Sequence, residues 1–210
     1  MKTKNIVLMS LIILLLSGCL VKSLHPFYKE NQSLFKKELI GTWTGKDSSI
    51  WNIVQGKKTT GLFKPDMPEN AYLITYTDKK GSAVFKVHLF QLENHLFLDF
   101  YPEDADAAGS NDLMTMHLVP MHTVARIELI AGHIVIRWYN EEWLISLFKQ
   151  NKIRIPHEKI PYESGKVNDN DFQVILTAST DELQKFMLKY ADDPNALKND
   201  DTFVLSKRVR

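Results

Sequence analysis

The chain has 210 residues, of which 44% are apolar and 24% charged, and its formal net charge is +1. This balance is typical of a folded globular protein and excludes a disordered chain; near neutrality also argues against a general nucleic-acid binder, so no nucleic-acid partner is predicted. The single cysteine excludes a disulfide framework and any CxxC-type zinc or redox site.

The N-terminus carries a targeting pattern. Lys2 and Lys4 precede an apolar run over residues 6–16, which is too short to cross a bilayer and fits the apolar region of a secretory signal. The run ends in Leu16-Ser17-Gly18-Cys19, which resembles the lipobox of bacterial lipoproteins.

That resemblance implies that the signal peptide, residues 1–18, is removed and that Cys19 carries the lipid. Losing Lys2 and Lys4 would lower the net charge from +1 to −1. Leu20 stands where enteric lipoproteins retained in the inner membrane have Asp. The resemblance therefore implies a cell-envelope protein held by its lipid, with the outer membrane and its periplasmic face favoured.

Residues 19–40 are predicted to form the lipidated cysteine, a short tether and a packed arm, and residues 41–210 a single β-rich domain. In the domain the hydrophobic period falls to two, which predicts strands. The predicted strands are 49–55, 71–77, 82–92, 95–101, 113–119, 123–130, 133–139, 172–176 and 202–207. A hairpin loop is predicted at 78–81 and a two-residue connection at Glu93-Asn94, and Pro120 predicts a break or bulge.

Two helices are predicted within this pattern. Asn140 is an N-cap for residues 141–150, and Ser179 with Glu182 has capping-box spacing at the start of 180–191. The second helix has one apolar stripe: Leu183, Phe186, Met187 and Tyr190. The predicted fold class is therefore mainly β, either an antiparallel meander sheet or a calycin-like barrel, with a C-terminal helix packed outside.

Gly41-Thr42-Trp43 at the start of the first strand resembles the GxW that opens the barrel in lipocalins and other calycins. In that superfamily the Trp closes one end of the barrel under a basic residue from late in the chain. The resemblance implies that Gly41, Trp43 and Arg208, or Lys207 in its place, close the barrel. The 141–150 helix and the long 152–171 connection depart from the lipocalin pattern. The segment 23–28 followed by Gly41-Thr42-Trp43 also resembles uncharacterised bacterial lipoproteins, which implies localisation only.

Catalytic motifs are sparse. His117, His122 and His133 invite a metal hypothesis, but two histidines an odd number of residues apart face opposite sides of a regular strand. The acidic runs 103–106 and 168–171 lack the EF-hand pattern and are predicted to be solvated turns. The sequence has no GxSxG, P-loop or GxGxxG motif. No metal, cofactor or catalytic residue is predicted.

Three functions remain open at this point. The first is a lipid-anchored, non-catalytic module that binds a small apolar or amphipathic ligand inside a barrel lined by aromatic rings. The second is an accessory lipoprotein that docks other envelope proteins. The third, ranked below both, is an envelope hydrolase that uses clustered histidines and carboxylates.

Overall fold

The structure is a computed structural model, and it describes residues 20–57, 67–103, 118–130, 132–161, 172–197 and 202–208. These residues form one twelve-stranded sheet and two α-helices. The strands are β1 (Lys22–Ser23), β2 (Ser33–Leu34), β3 (Gly41–Gly45), β4 (Ile50–Gln55), β5 (Ala71–Asp78), β6 (Gly81–Leu92), β7 (His95–Pro102), β8 (His122–Ile130), β9 (His133–Trp138), β10 (His157–Pro161), β11 (Phe172–Leu176) and β12 (Thr202–Lys207). The helices are α1 (Glu141–Lys149) and α2 (Thr180–Lys189), and short 3₁₀ turns lie at Glu30–Gln32 and Lys37–Leu39.

Eight of the strands close into an antiparallel barrel. Strands β3 to β9 pair in chain order, and β12 lies between β9 and β3 and joins the two ends of this meander. The predicted fold class is confirmed, and of the two architectures considered the barrel is the one formed. A closed barrel leaves none of its eight strands as an unpaired edge.

Local turn chemistry sets the register of the barrel hairpins. Leu92 pairs with His95 across the two-residue turn, and Glu93 has the positive φ that such turns require. Asp78 pairs with Gly81, and the Asp78 carboxylate accepts hydrogen bonds from the Lys80 and Gly81 N–H groups. Both connections lie where the sequence predicted them.

Four strands lie outside the barrel: β2 pairs with the end of β6, and β1, β10 and β11 extend the sheet from β8. The first two residues of β8 pair with β1, whereas Ala125 onward pairs with β9. Strand β1 in turn pairs with β11 in parallel, and β11 pairs with β10. The sheet therefore branches at β8, and the N-terminal strand is an internal strand with a neighbour on each side.

Two hydrophobic cores result from this branching. The first fills the barrel. The second lies on the outer face of β6, β7 and β8, beneath α1, α2 and the extension. Its members include Phe27, Phe90, Phe97, Tyr139, Trp143, Leu144, Val174, Leu183, Phe186 and Met187. The C-terminal helix α2 thus packs outside the barrel, as predicted.

The helix boundaries follow from their caps. The Asn140 side chain accepts a hydrogen bond from Trp143 N–H at 2.8 Å. Ser179 and Glu182 form the predicted capping box at the start of α2. Both helices end one or two residues earlier than predicted, which is the usual uncertainty of helix ends. Neither helix among the described residues has the length and apolar character needed to span a bilayer.

Two sequence predictions differ from the structure. Leu118 and Val119 lie outside the strands, because β8 begins only after Pro120, and the rest of the predicted strand 113–119 lies outside the described residues. The 152–171 connection contains β10, which the sequence analysis missed. Alternating burial is absent from β10, since three consecutive residues are exposed, so its sequence shows no period of two.

Candidate functional site

The barrel interior is packed with aromatic side chains. Trp51 makes edge contacts with Tyr76, Phe100 and Phe203, with ring centroids 5.1, 6.5 and 5.3 Å apart. Phe100 also contacts Trp138 at 4.6 Å. Trp51, Phe100 and Trp138 are each at most 6% exposed. Interlocking rings of this size bury large apolar areas and fill the space that a hollow barrel would leave for a ligand.

Trp43 lies in β3, the first barrel strand, and is buried. Its indole Nε1–H donates to the Leu39 carbonyl at 2.9 Å, and the Lys207 ammonium lies over the ring, 5.2 Å from its centroid. Arg208 contributes its backbone N–H, which donates to Thr42 O at 2.9 Å. Gly41 has φ +138° and faces the Lys207 side chain, so a Cβ there would meet both strain and a close contact. The basic group on Trp43 is thus that of Lys207.

A polar cluster lies on the outer wall of the barrel, under the N-terminal arm. We call it the Asp99 cluster; it comprises Tyr28, Ser33, His88, Asp99 and His122. His88 and Asp99 are paired across β6 and β7, and alternation points them away from the barrel interior. Tyr28 and Ser33 come from the arm that crosses this wall.

The Asp99 carboxylate is the centre of the cluster and is 1% exposed. Its Oδ2 accepts a hydrogen bond from Phe27 N–H at 2.7 Å, and its Oδ1 lies 2.7 Å from His122 Nδ1, which we assign as the donor. A buried carboxylate is stable only when such partners replace its water shell. Asp99 therefore fastens the arm to the barrel at Phe27.

The remaining members of the cluster hold the arm a second time. The Tyr28 ring stacks on His88 at a centroid distance of 4.0 Å, and His88 Nδ1 lies 3.2 Å from Ser33 Oγ. Burial, with the nearby Lys86 and His122, lowers the pKa of His88 to about 4. Burial and the Asp99 charge raise the pKa of Tyr28 to about 12. Both rings are therefore neutral at physiological pH.

The geometry of this cluster does not match a Ser–His–Asp catalytic triad. In a triad, one imidazole hydrogen-bonds to both the serine hydroxyl and the carboxylate. Here Ser33 contacts His88, whereas Asp99 contacts His122. An imidazole with a pKa of about 4 is also a poor base at neutral pH. These contacts instead hold the N-terminal arm against the barrel wall.

The histidines considered for a metal site do not converge. His122 begins β8 and His133 pairs with Ile130 at its other end, so the two are separated by the strand's length, roughly 26 Å at about 3.3 Å per residue. His117 lies outside the described residues. Within the described ranges, no three His, Cys, Asp or Glu side chains form a group that could hold a metal ion.

A surface pocket lies outside the barrel along α1, with a volume of about 410 Å³. It is lined mainly by polar residues, together with Trp143 and Leu147. The polar lining includes Asn140, Glu142, Ser146, Gln150, Lys152 and Asp193. Trp143 Nε1–H donates to Asp193 Oδ2 at 3.2 Å, which holds the 193–195 loop against the helix. The pocket is therefore a polar recess between a helix and a loop.

The described chain starts inside the sheet. Leu20 forms an antiparallel bridge with Asn140, and Val21 N–H donates to Tyr139 O at 3.2 Å. Leu20 and Val21 are therefore already part of the sheet. Cys19 itself lies outside the described residues, as do the 168–171 run and all of 103–106 except Glu103.

Sequence analysis missed the Asp99 cluster. A signal existed, because Asp99 is the one charged residue within the apolar strand His95–Pro102. A lone carboxylate on a buried strand needs nearby donors. Comparisons with protein-family models, curated proteins and solved structures found no match for the chain.

Proposed function

We propose that the protein is a bacterial envelope lipoprotein, anchored through a lipid on Cys19 at the periplasmic face of the outer membrane. The lipobox-like sequence at 16–19 is the basis of this proposal. The barrel would then lie directly against the membrane surface, with no flexible spacer to extend its reach.

We further propose that its role is non-catalytic and that it docks another envelope protein on the outside of the barrel. The observation that carries this choice is the packed interior, in which Trp51, Phe100 and Trp138 occupy the space that an internal ligand would need. Binding of a small apolar ligand inside the barrel, the first function considered from the sequence, would require these rings to move. The Asp99 cluster offers no support for a hydrolase, because its contacts divide between two imidazoles.

Lipid attachment is tested by intact mass and membrane fractionation of the wild type and Cys19→Ser, produced with the native signal. The expected wild-type mass corresponds to cleavage before Cys19 plus the lipid, and Cys19→Ser should lose both changes. A wild-type mass without lipid, or cleavage at another bond, would refute the anchor.

The site of binding is tested separately by native mass spectrometry and by photo-crosslinking in cells. We expect no co-purified small molecule, and a discrete protein adduct from a crosslinker on the exposed β4 face at Ile50 or Val54, or at the β8 end at Leu129. A crosslinker at Lys80, on the β5–β6 turn, is the matched control and measures the level of non-specific crosslinking. A tightly bound apolar ligand would instead favour the internal-ligand function. The same adducts at the same yield from the test positions and from Lys80 would contradict docking.

A further inference from the structure

The recess along α1 has the dimensions of a small-molecule site. Its volume of about 410 Å³ lies within the roughly 300–1,000 Å³ that is typical of ligand pockets. It lies outside the barrel, and neither the Asp99 cluster nor the exposed residues named above for docking contribute to its lining. The recess is therefore separate from the packed interior and from the proposed docking faces.

One wall of the recess is a ridge of polar side chains on α1. Glu142, Ser146 and Gln150 follow one another at intervals of four residues, so they share one face of the helix over roughly 12 Å, at about 1.5 Å per residue. Lys152 joins them because the chain turns back at the end of the helix. Its N–H donates to Leu147 O at 2.9 Å, which is a Schellman contact.

The opposite wall is the loop that follows α2, and two contacts fix it to α1. Trp143 Nε1–H donates to Asp193 Oδ2 at 3.2 Å, and Asn140 N–H donates to Ala196 O at 2.9 Å. The other Asp193 oxygen accepts hydrogen bonds from Asn195 N–H and Nδ2 at 2.9 and 3.1 Å. Both walls are thus held by contacts of the protein itself, and a preformed recess of this kind lowers the ordering cost of binding.

Three polar side chains of the lining are free to meet a ligand. Within the described ranges, the Glu142 carboxylate, the Gln150 amide and the Lys152 ammonium form no hydrogen bond or ion pair, and all three residues are exposed. Together they offer both acceptors and donors. Asp193, in contrast, already accepts three hydrogen bonds. The free charges of the recess are therefore one negative and one positive.

These groups select the chemistry of a ligand by exclusion. An apolar ligand would displace water from charged side chains without replacing its hydrogen bonds, and the apolar lining, Trp143 and Leu147, is only 8% and 5% exposed. A ligand with a net charge of either sign would meet a like charge, at Glu142 or at Lys152. A hydroxyl is both a donor and an acceptor, so a neutral ligand with several hydroxyls can pair with a carboxylate, an amide and an ammonium together.

We propose that the recess between α1 and the loop after α2 binds a neutral saccharide of one or two rings. The polar side chains of the ridge are about 6 Å apart along the helix, so each ring of a short glycan can contact one or two of them. A small polar ligand in an open recess binds with a Kd of about 1 mM. Such a ligand is lost on purification, in agreement with the native mass spectrum expected above.

The test is saturation-transfer NMR of the full chain, produced with its own signal and kept in a detergent without a sugar headgroup. The probes are glucose, galactose, N-acetylglucosamine, lactose and the β-1,4-linked disaccharide of N-acetylglucosamine. Alanyl-alanine and acetate are the zwitterionic and anionic probes. Glu142→Ala/Gln150→Ala removes two free groups of the recess. Glu158→Ala/Gln91→Ala is the matched control, because it removes the same side-chain types from exposed strand positions.

We expect saturation transfer to at least one of the sugars. The Kd should rise about 10-fold in Glu142→Ala/Gln150→Ala, which loses two hydrogen bonds, and should stay unchanged in the control. In the wild type, adding the sugar should shift the amide signals of residues 142–152 and 193–195 but not those of β4. This last measurement needs no variant, so it stays informative if a substitution lowers stability.

Absence of saturation transfer to all five sugars would overturn the proposal. Equal transfer in Glu142→Ala/Gln150→Ala and in the wild type would also overturn it, because the sugar would then bind elsewhere. Stronger transfer to alanyl-alanine or to acetate than to every sugar would refute the ligand class. These outcomes leave docking unaffected, since docking is tested by the crosslinking experiment.

Discussion

The Asp99 carboxylate should contribute a large share of the stability of the arm and barrel together. Asp99→Asn keeps the shape of the side chain but replaces one acceptor oxygen with an NH₂ group, which then faces either Phe27 N–H or His122 Nδ1. The two present hydrogen bonds are each 2.7 Å long and 1% of the residue is exposed. A hydrogen bond to a charged group contributes about 1.5–3 kcal/mol, so losing one and weakening the other should cost about 2–4 kcal/mol.

The assay is urea unfolding followed by tryptophan fluorescence, combined with hydrogen exchange at the Phe27 amide. We expect a lower unfolding midpoint at an unchanged m-value, and faster exchange of Phe27 N–H. Asp78→Asn is the matched control, because the Asp78 carboxylate also accepts hydrogen bonds, from Lys80 N–H, Gly81 N–H and Tyr76 O–H, but is only partly buried. Its effect should be much smaller. The reasoning would be refuted if Asp99→Asn unfolded at the wild-type midpoint, or if its Phe27 amide exchanged at the wild-type rate.

Three further predictions concern the pH dependence of stability, the packing of the barrel core and the contact of Lys207 with Trp43. Because burial lowers the folded pKa of His88 to about 4 from 6.5, protonation favours the unfolded chain. Stability should then fall by up to about 3 kcal/mol between pH 6.5 and pH 4, and His88→Gln should flatten this part of a stability–pH curve. Trp51→Ala should lower the free energy of unfolding by about 3–5 kcal/mol in urea titrations and create a cavity that binds a hydrophobic dye; dye binding by the wild type at equal strength would contradict the packed interior. Lys207→Gln should cost about 0.5–1 kcal/mol by removing the cation over Trp43, whereas Arg208→Gln keeps its backbone hydrogen bond and should change the melting temperature less.

Local features of the fold were predictable because their causes lie between near neighbours. Alternating side chains predicted most barrel strands. The turn at 78–81 follows from the Asp78 side chain, which accepts the turn N–H groups, and from Gly81, which has a positive φ; in the two-residue turn at 93–94 the positive φ is that of Glu93. The cap at Asn140 and the box at Ser179 likewise depend on residues within four positions. Strand β10 escaped prediction because its exposed face removes the alternation from the sequence.

The candidate sites were less predictable because their members are distant in sequence. Phe27, Asp99 and His122 meet only because the arm crosses β7 and β8 on the outside of the barrel. Likewise, the pattern around Asn140 predicted a helix start but not that Glu141 would be buried against Val174.

By itself, the sequence determined the β-rich class, the hairpins, the helix caps and a lipobox-like signal at 16–19, since each depends on spacing within a short stretch of chain. Only the tertiary structure decided that β12 closes the barrel between β9 and β3, and that three tryptophans pack its interior. Only it brought β1 between β8 and β11, two strands that are far from it in sequence. The physical reason is that strand closure and burial depend on the complementarity of surfaces far apart in the chain, whereas periodicity and capping depend on adjacent residues.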